Sequence, residues 1–288
     1  MAESFLIAVR EGFEAALIVA IVLAFVRRQA PEHARAVWIG TGAALGLALA
    51  IGLVLHLAID GLEGEAKLRT FGIICLSAAG LLTWMIFWMR THARKLKGEL
   101  EGKADAAIVG GSSFALAMVA FTAVAREGLE TALFLLSTTS QADGSQVALG
   151  TLLGLAVATM LGVGVYHGSQ RLDMRRFFQV TGVLVILFAA GLLARAVLFF
   201  QATGDLGSFN DAAYNLTQFR WLTQETQSGR FLAGIFGWDP RPSIEQVIVY
   251  FGYLIPVLVF FFKEPKPAAA VAPPAPLAPE STPEPAAT

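Results

Sequence analysis

Apolar residues in this chain run on for about twenty positions at a time and stop at short polar segments, with no sustained alternation of apolar and polar positions. Windows of about 19 residues yield seven such runs, at about residues 4–26, 37–59, 70–90, 113–137, 146–167, 178–200 and 244–262. A helix needs about 20 residues to cross a hydrocarbon core of about 30 Å. The pattern therefore predicts an all-α integral membrane protein with seven transmembrane helices in one domain, residues 1–262. Between the sixth and seventh runs lies a long outside loop, about 201–243. Its stretch "NLTQFRWLTQETQSGRFLAGIFGW" suggests a short interfacial helix anchored by Trp221 and Trp238. Residues 263–288 are rich in proline and alanine and predict a disordered cytoplasmic tail.

Composition agrees with a lipid solvent: 56% of residues are hydrophobic and 15% charged, against roughly a quarter charged in soluble domains. The first run lacks a positive leader and a small-residue cleavage site, so it is read as a permanent helix and not a signal peptide. With Cys75 the single cysteine, an intrachain disulfide and a cysteine metal cluster are both excluded. Basic residues gather on alternate connections. Arg27, Arg28 and Arg35 follow the first run; Arg90, Arg94, Lys95, Lys97 and Lys103 the third; Arg171, Arg175 and Arg176 the fifth; Lys263 and Lys266 the seventh. The positive-inside rule then places the N-terminus outside and the C-terminus in the cytoplasm of a cell inner membrane. Membrane lipid is an implied partner and nucleic acid is not.

The chain repeats itself. "VREGFEAALIV" at 9–19 returns as "AREGLETALFL" at 125–135, "AAGLL" at 78–82 returns at 189–193, and "GTGAALGLA" at 40–48 is echoed by "GTLLGLAVA" at 150–158. Three runs thus match the next three, with repeat 1 at about 4–90, repeat 2 at about 113–200, and the helix at 244–262 standing outside the repeat. An odd number of spans per repeat forces opposite orientations, which is the inverted-repeat architecture of many transporters, with the site at the repeat interface. The paired glycines Gly42 with Gly46 and Gly150 with Gly154 have a plainer explanation as points of close helix approach.

The charged motif is harder to explain by packing. On a helix Glu11 and Glu14 share a face and Arg10 can brace Glu14 four residues on; Arg126, Glu127 and Glu130 repeat the arrangement. An ionised residue near the bilayer centre costs about 2.5–3.5 kcal/mol on insertion scales, so these six must face one another or water. Four carboxylates against two guanidiniums leave two negative charges over, which invites a cation, and glutamates on facing helices are how bundles hold metals with oxygen ligands. Such a site suits iron, manganese or magnesium and not copper(I). His33, His56, His92 and His167 fall in connections or at span ends. Arg195, in the sixth run, is either a counter-ion to the acids, an interior structural pair or a snorkelling side chain, the last two being favoured.

The doubled R-E-G-x-E motif, the seven runs, "AAGLLARAVLFFQ" in the sixth and "FGWDPRPSIEQVIVYFGYL" before the seventh resemble the oxidase-dependent iron permease family, which includes fungal high-affinity iron permeases and bacterial EfeU-type ferrous or ferric iron permeases. The resemblance runs from residue 4 to about 262. It implies iron import, not an enzyme activity, with Glu11, Glu14, Glu127 and Glu130 as metal ligands, Arg10 and Arg126 in support, and iron as substrate with no organic cofactor. It also implies an outer iron-receiving segment, here "DGLEGE" with Asp60, Glu63 and Glu65, and an oxidase or periplasmic iron-binding protein as partner. The competing readings are an intramembrane carboxylate-bound metalloenzyme, a transporter of another divalent cation such as Mn2+, and a non-transporting metal sensor or scaffold.

Overall fold

The computed structural model describes residues 1–92, 96–139, 144–167, 174–207 and 212–263. The 263–288 tail, apart from Lys263, lies outside the described residues. So do Arg94, Lys95 and Arg171, while Arg90, Arg175 and Arg176 have their backbone alone described.

The described chain is helical. In order come α1 (Ala2–Gln29), α2 (Ala34–Asp60), α3 (Gly64–His92), α4 (Leu96–Val109), α5 (Ser113–Thr139), α6 (Gly144–Tyr166), α7 (Met174–Ala202), α8 (Gln227–Phe236) and α9 (Ile244–Phe262). The segment before α9 contributes one isolated bridge, Ala212 to Ser243. Each of the seven apolar runs falls on a long helix. Five stretches, 31–60, 64–89, 144–166, 179–202 and 244–262, are long and apolar enough to cross a membrane by length and composition. The two remaining long helices, α1 and α5, carry the charged motifs.

Helix packing is pairwise: α1 lies along α6, α2 along α5, α3 along α7, and α1 crosses α5. Small residues make the pairs close. A methyl group on Gly154 of α6 would come within 2.6 Å of the Phe5 carbonyl oxygen on α1, and Gly150 meets Met1 and Ser4. On the other pair Gly40 of α2 meets the Ala117 backbone of α5. Gly42 and Gly46, grouped with these in the sequence, have open space around them. They share the outward face of α2 with Leu45, Leu49, Leu53 and Leu57, which is where an apolar solvent would be met. Van der Waals fit drives association where lipid tails are as apolar as the side chains.

The connection between α3 and α5 differs from the basic loop expected of it. It contains α4, whose Leu100, Ala104 and Ala107 are buried against Ile18, Val22 and Val26 of α1 and Leu116 and Ala120 of α5. At 14 residues, with charged residues on its other faces, it is too short to register in a membrane-length window. The 201–243 segment is also more structured than an anchored loop. Trp238 is not an outward anchor: it donates to the Leu222 carbonyl at 3.1 Å and stacks on Tyr214, whereas Trp221 is exposed. Helix α8 ends at Gly237, whose φ of 63° favours glycine, and this turn sits against Gly191 of α7. A capping box of Ser243 and Gln246 then starts α9.

Candidate metal centre

The crossing of α1 and α5 brings the two charged motifs together. Each motif occupies consecutive turns of an unbroken helix, so its two acids, three apart, and its arginine and second acid, four apart, share a face. Gly12 packs tightly on Ala158 of α6, where a methyl group would come to 3.0 Å, and Gly128 faces Ala48 of α2, where it would come to 2.7 Å and force a shift. Those contacts seat the helices so that the flanking acids turn inward. Glu11, Glu14, Glu127 and Glu130 are all buried.

Glu11, Glu14 and Glu127 each offer a carboxylate oxygen within 4.8 Å of the other two. Arg10 braces the first pair, donating through Nη1 to Glu11 Oε1 at 2.7 Å and standing 3.3 Å from Glu14 Oε1 through Nη2. Glu130 is held differently: its Oε1 accepts from Arg126 Nε at 3.1 Å, and the same nitrogen lies 3.6 Å from Glu127 Oε1. Glu11 Oε2, Glu127 Oε2 and Glu130 Oε2 are buried without a hydrogen-bond partner among the described residues. Unsatisfied carboxylate oxygens in an apolar interior are costly. A hard cation with oxygen ligands would satisfy several of them at once.

Helix α3 completes the surroundings, a contribution not expected from the sequence. The Arg10 guanidinium reaches Met85 Sδ at 3.7 Å, and the Arg126 guanidinium lies over Trp88, 4.3 Å from the ring centroid, with Trp84 at 5.5 Å. A cation on an aromatic face is a favourable partner where water is scarce. The repeated tryptophans of the 84–88 stretch, four apart on one helix face, were the available signal.

Two cavities approach the carboxylates from different ends of α1. One, about 250 Å³, is lined by Glu14, Arg126 and Glu127 together with Trp88 of α3 and Glu99 and Lys103 of α4. The other, about 30 Å³, is lined by Glu3, Arg10 and Glu11 with Leu82 and Phe188. Above the smaller one, Arg195 is buried and pairs with Glu3 at 2.8 Å. It is thus an interior structural pair; it neither snorkels nor meets the four central acids. The acids of "DGLEGE" are not brought to the centre. They are exposed at the α2–α3 turn, where Asp60 pairs with Lys67 and Glu65 with Arg69, both at 3.5 Å. Arg69 also forks onto Asp205 at 2.7 and 2.9 Å, hydrogen bonds that hold the Asp205 carboxyl below its ordinary value. A further concavity, about 730 Å³, is an open surface of the 217–240 segment lined by residues that include Arg220, Glu225, Arg230 and Asp239 and no motif residue.

No solved structure matches the chain. Among the chain's relatives, the ferrous iron permease EfeU of Yersinia pestis is 39% identical over 271 residues, covering 93% of this chain and 95% of that protein. The ferrous iron permease EfeU of Escherichia coli O157:H7 is 38% identical over 268 residues, covering 92% and 96%. Residues 1–265 match the iron permease FTR1 family, and with a match of that extent around a doubled R-E-G-x-E centre, the chain belongs to this family.

Proposed function

We propose that the chain imports iron across the cytoplasmic membrane, binding the ion between α1 and α5. The observation that carries this reading is the set of oxygens from Glu11, Glu14 and Glu127, on two helices, within 4.8 Å of one another. Glu130, Arg10 and Arg126 complete the charge arrangement. The relatives, named as ferrous iron permeases, support iron as the substrate and transport as the task.

The architecture we assign is seven membrane-crossing helices, with α1–α3 and α5–α7 as inverted repeats and α9 outside them. Helix pairing supports it. Exchanging α1 with α5 and α2 with α6 turns the α1–α6 pair into the α5–α2 pair and leaves α3–α7 and α1–α5 unchanged in kind. The match extends to residues: Gly12 against Ala158 mirrors Gly128 against Ala48, and Gly150 against Met1 mirrors Gly40 against Ala117. The N-terminus would lie outside and α4 in the cytoplasm. Asp60, Glu63 and Glu65, with the open 217–240 surface, would then form the outer face that receives iron from an oxidase or periplasmic iron-binding protein.

Reconstitution into liposomes enclosing an iron-sensitive dye tests the reading. Fe2+ or Fe3+ added outside should quench the dye at a rate dependent on the protein, and Glu14→Ala should abolish it. Iron-independent behaviour, with Mn2+ carried in preference or with no ion carried at all, overturns it.

A further inference from the structure

The cavity of about 250 Å³ is lined by Glu14, Arg126 and Glu127 of the two motifs together with Glu99 and Lys103 of α4. Helix α4 is no loose connection there, because Leu100, which also lines the cavity, is buried in the cluster that fastens α4 to α1 and α5. Glu99 is therefore held in register with the central acids while remaining exposed to water. Glu101, on the same helix, is turned to Lys97 at 3.8 Å and does not line the cavity. Glu127, which lines the same cavity, retains a buried oxygen with no hydrogen-bond partner among the described residues.

We infer that Glu99 is a transit ligand on the release side, taking the ion from Glu14 and Glu127 and passing it to water. This rests on the proposed binding of iron at the central carboxylates. An ion held by several buried carboxylates leaves slowly unless its ligands are replaced one at a time, and conduction requires sites that are numerous and individually weak. A carboxylate open to water provides such a step. Lys103, one turn further along α4, places a positive charge beside it, which keeps the transit site from becoming a trap.

The test uses the full chain in liposomes and Fe2+ as probe, with uptake and metal bound per protein measured on the same preparations. Glu99→Gln should lower the initial uptake rate about tenfold and leave the bound metal unchanged. Glu99→Asp should recover part of the rate, and Glu101→Gln should behave as wild type. Undiminished uptake in Glu99→Gln overturns the inference. So does loss of bound metal together with uptake, which would make Glu99 part of the central site or of the fold, and so does an equal loss in Glu101→Gln, which would make the effect one of general charge. Glu14→Ala separates the two levels: if it keeps both metal and uptake, the central reading itself fails, whereas failure of Glu99→Gln alone leaves that reading standing.

Discussion

Arg195 of α7 holds Glu3 of α1 at 2.8 Å, and the same Nη2 donates to the Ala233 carbonyl of α8 at 2.6 Å. One guanidinium thus ties the start of the chain to the segment before α9, over the narrow cavity that leads to Arg10 and Glu11. Removing one partner of a buried pair strands the other, at a cost of about 3–5 kcal/mol. Arg195→Ala should therefore lower the melting temperature in detergent markedly, and Glu3→Gln by less. Replacing both, as Glu3→Leu with Arg195→Met, should recover much of the loss. A double variant as unstable as the sum of its parts would show that the two groups do not stabilise one another.

Glu14 and Glu127 come from opposite helices and share one cluster of oxygens. Groups that bind one ion as a unit are strongly non-additive. Metal bound per protein and iron uptake should fall together in Glu14→Ala and in Glu127→Ala, with the double variant scarcely worse than either. Multiplicative losses, at matched expression and below saturation, would make the motifs two separate stations. Arg10→Ala should be milder in metal binding, since it removes a brace and not a ligand.

Glycines that look alike in the sequence should respond in opposite ways. Gly40→Ala and Gly150→Ala push a methyl group into the backbone of the neighbouring helix, and overpacking of this kind costs about 1–3 kcal/mol. Gly42→Ala meets nothing within 4 Å and gains the ordinary helix preference of alanine, about 0.5–1 kcal/mol. Thermal unfolding of the three variants in one detergent checks the ordering; equal destabilisation would contradict the assigned helix faces.

The orientation can be read by labelling. Ser145, in the first turn of α6, and Gly98, on α4, are both exposed, while Cys75 is fully buried and should stay silent. With the N-terminus outside, Ser145→Cys reacts with an impermeant thiol reagent on intact cells and Gly98→Cys reacts after lysis. The reverse pattern would invert the topology.

Local pattern was enough for the long helices and for the motif. An apolar run of membrane length has one way to satisfy its backbone, and residues three and four apart on a helix share a face whatever surrounds them. That is why spacing alone places Arg10, Glu11 and Glu14 together, and Arg126, Glu127 and Glu130 likewise. What lies opposite a face is another matter. Between lipid and a neighbouring helix there is no difference in hydrophobicity to read, so Gly42 and Gly150 carry the same signal although one looks outward and the other touches α1. Met85 and Trp88 beside the two arginines, Glu3 as the partner of Arg195, and α4 carrying Glu99 to the mouth of the cavity all depend on contacts between helices distant in sequence. Those contacts are set by shape and by the need to pair buried charge, which tertiary packing alone decides.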